Sequence, residues 1–312
     1  MIDNKIQINN LDILVIKGKD AEVFLQGQIT NDIKITKEED RAIYSGYCSP
    51  KGRLVAFFLI IKAKDNYYLV CPSSIGEEIS KKLSMYIMRS DVSLSRTTEV
   101  SFFSFYANGK EGKVFKGLLD QLPNKVMQTL KHISATEEAN YFAITKLPGK
   151  ENRYFMLGEG ELIKSIYNEI NQSLGVADYD SWNSSDIEAK IPNIFKESQD
   201  KFIPQSLNLD ILDAVNFKKG CYTGQEIVAR THYLGVSKRR MFQADVLIDE
   251  LFNIGDPIIS NNNTVGQVVN YYEKKPGSFR LLIELRLDQA ESILLLKNNT
   301  LSINLSDIHL FN

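Results

Sequence analysis

With one tryptophan, three cysteines and three histidines in 312 residues, the chain has little material for disulfide or metal chemistry. Cys48, Cys71 and Cys221 are scattered and form neither a CxxC pair nor a disulfide framework, so a reducing, cytoplasmic setting is expected. No HExxH, Walker or Rossmann glycine pattern occurs. Met1-Ile2-Asp3-Asn4-Lys5 has no basic region followed by an apolar core, so no export signal is expected. Long apolar runs are also missing. The longest, Leu54 to Ile61, is closed by Lys62 and reads as a buried strand, not a membrane span. A net charge of −2 argues against a generally cationic nucleic-acid-binding surface. What remains, 43% hydrophobic and 24% charged, suffices for two or three domains with proper cores.

Strand and helix patterns alternate over the first two thirds. Strands are expected at 13–16, 44–48, 54–63, 67–71, 100–106, 141–145 and 154–157, forming mixed sheets backed by helices. Helices are expected at 21–29, capped by Asp20, and from a capping box at Ser74 and Glu77 to Ile87. Others are expected near 118–130 and 161–174. After residue 239 short strands predominate at 240–248, 257–260, 264–272, 279–285 and 301–305, with Asn261-Asn262-Asn263 as a turn, which predicts a small β-barrel.

Phe217-Lys218-Lys219-Gly220-Cys221-Tyr222-Thr223-Gly224-Gln225-Glu226 sets a thiol between two glycines, behind two lysines and ahead of an expected helix. Cations and a helix N-terminus both favour thiolate; the alternative is a small buried hydrophobe that shapes a loop. Around it Lys218, Lys219, Arg230, Lys238, Arg239 and Arg240 stand against Glu226 alone. That is either a solvated face or a seat for an anion such as a carboxylate tail or a phosphate backbone. His232 is near enough in the chain to be a base or thiolate partner, or to hydrogen-bond its own loop. His132, at the end of a helix pattern, and His309 are read as surface or cap residues.

The stretch Phe202-Ile203-Pro204-Gln205-Ser206-Leu207-Asn208-Leu209-Asp210 followed by Asn216 to Arg230 resembles the defining motif of the YgfZ family, folate-binding proteins related to the aminomethyltransferase (T protein) of the glycine cleavage system. Weaker similarity runs through Gly18 to Ala21, Phe24 to Asp32 and Pro50-Lys51-Gly52-Arg53, so it covers most of the chain. The resemblance implies an α+β, three-domain aminomethyltransferase-like architecture around a central cavity, with a C-terminal β-barrel. Residues 1–42 and 113–235 would form a discontinuous first domain, 43–112 an inserted domain and 236–312 the barrel. It implies a tetrahydrofolate-binding factor, for tetrahydrofolate itself or a one-carbon derivative, that supports iron–sulfur proteins, including an iron–sulfur enzyme that modifies tRNA such as a tRNA methylthiotransferase. Direct contact with tRNA is the further partner it suggests.

Trp182 and Glu188 are the residues to which the resemblance gives the folate. An aromatic face and a carboxylate suit a pterin, although i, i+6 spacing does not by itself place them on one helix face, and a core tryptophan with a surface glutamate is the alternative. Leu11 falls where some relatives carry a second folate-facing tryptophan, and Arg230 belongs with the expected anion contacts. Cys221, Lys218, Lys219 and His232 form the candidate reactive set. Ala56 and Phe57 stand where the aminomethyltransferases carry an acidic catalytic residue, and neither moves a proton. Lys190 and Asn216 replace a frequent glycine and serine. An accessory folate protein is therefore expected ahead of the alternative, a one-carbon transferase acting on a small molecule or tRNA with Cys221 as nucleophile.

Overall fold

The computed structural model describes residues 10–97, 100–107, 122–133, 140–171, 176–235 and 237–303. Three sheets carry the fold. The first takes β1 (Leu11–Lys17), β2 (Ile43–Cys48), β3 (Leu54–Ala63), β4 (Asn66–Pro72) and β5 (Ser93–Arg96) in the order β2-β3-β4-β1-β5. The second takes β6 (Val100–Tyr106), β7 (Thr129–Ile133), β8 (Tyr141–Leu147), β9 (Arg153–Glu159) and β10 (Val176–Ala177) in the order β10-β6-β9-β8-β7. The third runs β16-β15-β12-β13-β14-β11-β17, from β11 (Arg239–Leu247), β12 (Pro257–Ser260), β13 (Asn263–Lys275), β14 (Ser278–Arg286), β15 (Leu295–Leu296), β16 (Asn299–Thr300) and β17 (Ser302–Ile303). Because β16 also lies against β11, this sheet curls into a nearly closed barrel. The helices are α1 (Ala21–Gln26), α2 (Ile35–Glu38), α3 (Ser73–Ser84), α4 (Gly160–Asn171), α5 (Tyr179–Glu188) and α6 (Gln225–Leu234).

The expected α+β class with a C-terminal barrel holds. The mixed sheets do not: every strand pairing among the described residues is antiparallel. Nor does pairing respect a division at residue 42, since β1 runs antiparallel to β4 from Leu11 opposite Pro72 to Ile16 opposite Tyr67. Residues on both sides of 42 thus share one sheet, and the second sheet likewise spans residue 112. Thr129 and Leu130, expected in a helix, begin β7, whose Thr129 hydroxyl pairs with that of Thr145. His132 is therefore a strand residue, its ring stacked on Phe142. Residues 118–121 of that expected helix, 172–174 of the next, 304–305 of the last strand and His309 lie outside the described residues.

Local chemistry explains the other boundaries. Ser74 and Glu77 make no capping box, because α3 starts two residues earlier, at Ser73 behind Pro72; Glu77 pairs with Lys81 instead. Asp20 precedes α1 without a side-chain cap and accepts from the Asp91 amide. Asn261 and Asn262 adopt left-handed φ of 48° and 62° between β12 and β13, as a two-residue hairpin requires. β3 is apolar at nearly every position because both its faces are covered. Phe57, Leu59 and Ile61 enter the central core with Trp182 and Phe202, while Phe58 and Ile60 pack with Leu25 of α1 and Ile75 and Ile79 of α3.

Candidate functional site

Three of the segments that carry the family resemblance meet at one junction. Thr30 donates its hydroxyl proton to the Ala214 carbonyl (2.7 Å) and accepts from the Gly46 amide (2.8 Å). Asn31 donates to the carbonyls of Tyr44 (2.9 Å) and Asp213 (2.7 Å). Gly224, at φ 81°, precedes α6 so closely packed that a Cβ there would lie 2.4 Å from the Ser49 carbonyl oxygen and 2.9 Å from the Gly52 Cα. Gly52, at φ 68°, presses on Ile227 of α6 in turn. Only glycine fits either place. Gly220 is under no such constraint: its φ is not left-handed, and a Cβ would meet nothing within 4 Å.

Cys221 is exposed on this junction, whereas burial pushes the Cys48 thiol up to about 12 and that of Cys71 higher still. Lys218 and Arg230 are exposed. Lys219 is turned inward: its ammonium donates to the carbonyls of Ile29 and Asn31, both at 2.7 Å, and lies over the Tyr222 ring. The lysine expected to polarise the thiol is thus a brace between the cysteine loop and the Thr30 segment. His232 is committed to a face-to-face stack on Phe217, 3.7 Å between centroids and 9° from parallel.

Burial lowers the Lys219 ammonium to about 7 against an opposing pull from Asp32. An unfolded chain holds that proton to near 10.5. Between these values the unfolded state binds more protons, so stability should rise with pH from about 7 and level off above 10; below 7 both states are protonated and the contribution is flat. Urea midpoints at pH 7 and 9.5 check this. Lys219→Met should remove the rise; a wild-type midpoint that stays level would mean the two carbonyls keep the ammonium protonated.

Trp182 lies on α5, whose Asp178 cap accepts from the Ser181 amide. It is 4% exposed, edge-on to Phe155, with the Arg153 guanidinium over its ring. Leu11, Tyr44, Phe57, Val70 and Trp182 wall a cavity of about 20 Å³, with Asp186 as the acidic member. Leu11 and Trp182 therefore line one cavity. Burial raises the Asp186 carboxyl, opposed by Arg153, which donates to it at 2.7 Å. Asn193 supplies a second donor, and the Tyr44 hydroxyl is buried without a partner. These polar groups among apolar walls suit a pterin, but the cavity holds about one water. The walls must part to admit a ring.

Glu188 is not in that cavity. Its carboxylate accepts two hydrogen bonds from Arg280 (2.7 and 2.8 Å) and one from Tyr272 (2.5 Å), in a separate cleft of about 610 Å³ facing the barrel. Arg280 also grips Asp245 through two bonds of 2.9 Å. α5 is also tied to the barrel by Asn183, which donates to the Tyr271 carbonyl and accepts from Asn270. Trp182 and Asp186, at i, i+4, share a side turned away from Glu188. That spacing is a signal for Asp186 legible in the sequence. Tyr44 and Arg153 come from distant strands and carry none.

No family model matches the chain. It is similar to the tRNA-modifying protein YgfZ of Colwellia psychrerythraea, 25% identical over 279 residues that cover 88% of this chain and 82% of the relative. The protein of the same name from Hamiltonella defensa is 28% identical over 244 residues, covering 76% and 68%. Its fold is that of the glycine cleavage system aminomethyltransferase T from Bartonella henselae, with a TM-score of 0.71 at 13% identity over 95% of this chain and 83% of that one.

Proposed function

We propose that this chain, a member of the YgfZ family by its resemblance along most of its length, binds a reduced folate and acts as an accessory factor for iron–sulfur proteins, among them an enzyme that modifies tRNA. The observation that carries the reading is the cavity beside Trp182: apolar walls, a buried Asp186 carboxylate and an unpartnered Tyr44 hydroxyl. Trp182 and Leu11 would sandwich the pterin, and Asp186 would receive its paired N–H donors. When bound, the folate would supply a one-carbon carrier. Phe57, where the related transferases have an acid, is a cavity wall, which favours binding over proton transfer. The names of the YgfZ relatives and the aminomethyltransferase fold support the same reading.

Trp182 is the sole tryptophan, so its emission reports the cavity directly. Tetrahydrofolate should change that emission and stabilise the fold by about 2.7 kcal/mol at a hundredfold excess over Kd, which raises the denaturation midpoint. Trp182→Leu, which keeps an apolar side chain in the core, should weaken binding by about 1–3 kcal/mol in titration calorimetry if the indole is a stacking platform. In the same series Cys221→Ala should leave folding and folate affinity intact, since the thiol is exposed, and abolish support of iron–sulfur enzymes in a deletion strain. Unchanged emission and an unmoved midpoint would sink the folate reading; full complementation by Cys221→Ala would remove the thiol from the function.

A further inference from the structure

A cleft of about 1100 Å³ opens between the Gly52 turn, α6 and the barrel. Arg53, Lys201, Lys238, Arg239 and Arg286 line it, with two carboxylates, Glu284 and Asp288. Both carboxylates are already engaged, Glu284 by Arg239 at 2.8 Å and Asp288 by Arg286 at 2.5 Å. Arg53, which donates to the Lys201 carbonyl, and the exposed Lys201 and Lys238 therefore leave the cleft with an excess of positive charge. A concave wall concentrates the field of such charges.

Thr231 of α6 forms part of that wall. Its neighbours in the chain, on other faces of α6, reach the outer surface. Arg230 is exposed, Tyr233 is 65% exposed, and the Tyr233 ring stands edge-on, 4.8 Å away, to the stack that His232 makes with Phe217. The exposed Lys218 adjoins Phe217 in the chain. Cations alone would suit any polyanion. Cations beside an exposed aromatic cluster suit one whose anionic groups alternate with flat rings, because bases stack on aromatic side chains while phosphates meet Lys and Arg.

We propose that the cleft and the Phe217–His232–Tyr233 cluster form a binding tract for a flexible single strand of nucleic acid, its phosphates seated on Arg53, Lys201 and Lys238 and a base laid against the aromatic cluster. An acidic protein segment would satisfy the charge and leave the aromatics unused. The tract shares no residue with the Trp182 cavity and does not depend on folate.

Fluorescence anisotropy with labelled oligoribonucleotides and oligodeoxyribonucleotides of about twelve nucleotides, a length within the usual single-strand site sizes, tests this. The wild-type chain should bind, with log K falling linearly in log salt. Lys201→Glu with Lys238→Glu should weaken binding about tenfold or more and flatten the salt slope by roughly 0.7 for each phosphate that is no longer neutralised. Tyr233→Ala should cost roughly fivefold or more with the slope unchanged. A preference for one sugar identifies the strand. Because all three side chains are exposed, folding and the folate response of Trp182 should persist in these variants, which separates failure of the tract from failure of the folate reading. Unchanged affinity in every variant overturns the proposal. So does equal competition by poly-glutamate with no effect of Tyr233→Ala, which would assign the cleft to an acidic protein.

Discussion

Arg153→Leu should cost about 3–5 kcal/mol of folding stability, the range for removing one partner of a buried ion pair. The side chains of Arg153 and Asp186 are 1% and 3% exposed, and besides the 2.7 Å bond to Asp186, Arg153 donates to the carbonyls of Trp182 and Pro148 at 3.3 Å. Leucine would leave Asp186 with Asn193 and burial as its surroundings, so the carboxyl would take up a proton and the loss would shrink as pH falls. Arg153→Met combined with Asp186→Leu removes both charges and should recover much of the loss. Urea denaturation of the single and double variants decides; a single variant within 1 kcal/mol of wild type would mean that water reaches Asp186 and that the cavity beside Trp182 is not a dry site.

The second large effect is expected at Gly224. A left-handed backbone costs a non-glycine residue about 1–2 kcal/mol, and a Cβ 2.4 Å from the Ser49 carbonyl oxygen and 2.9 Å from the Gly52 Cα adds a clash with two pieces of backbone. Gly224→Val should therefore lose well over 2 kcal/mol and detach the cysteine loop from the Gly52 turn, seen as a lowered denaturation midpoint and faster proteolysis near Cys221. Gly220→Ala, four residues away in the same motif, should stay within about 0.5 kcal/mol of wild type, as surface substitutions do. Equal losses at the two glycines would refute this account of the loop.

These two glycines also show how far the sequence can be read. Both are visible in the motif, but only the approach of Ser49 and Gly52, more than 170 residues earlier, separates the constrained one from the free one. Lys219 escapes a local reading for the same reason, since its acceptors at Ile29 and Asn31 are remote. Short apolar runs such as Leu54 to Ala63 and Val100 to Tyr106 match their strands because a run rich in aromatic and β-branched residues is a local property. Sheet membership of β1 is not legible, because pairing register is set by the partner strand. Tyr44 of the cavity wall and Arg153, which holds Asp186, come from separate sheets and leave no trace in spacing. The resemblance makes Glu188 a pterin ligand, and Arg280, 92 residues later, is what holds it at the barrel.

The junction of Thr30, Gly52 and Gly224 imposes an order in time. The thiol loop closes only when residues 27–31 and 49–52 can reach residues 213–224, so the early strands leave the ribosome with one side of their packing still unmade. At about 5–20 residues per second, roughly 10–40 s of synthesis separate Asn31 from Gly224. During that interval β3, apolar along nearly all its length, has sheet partners but lacks Phe202, Leu207 and Leu209, the residues that later close the central core over it. The nascent chain is therefore most exposed to chaperones and to aggregation in mid-synthesis, and the segment that ends this exposure is the one that carries the cysteine.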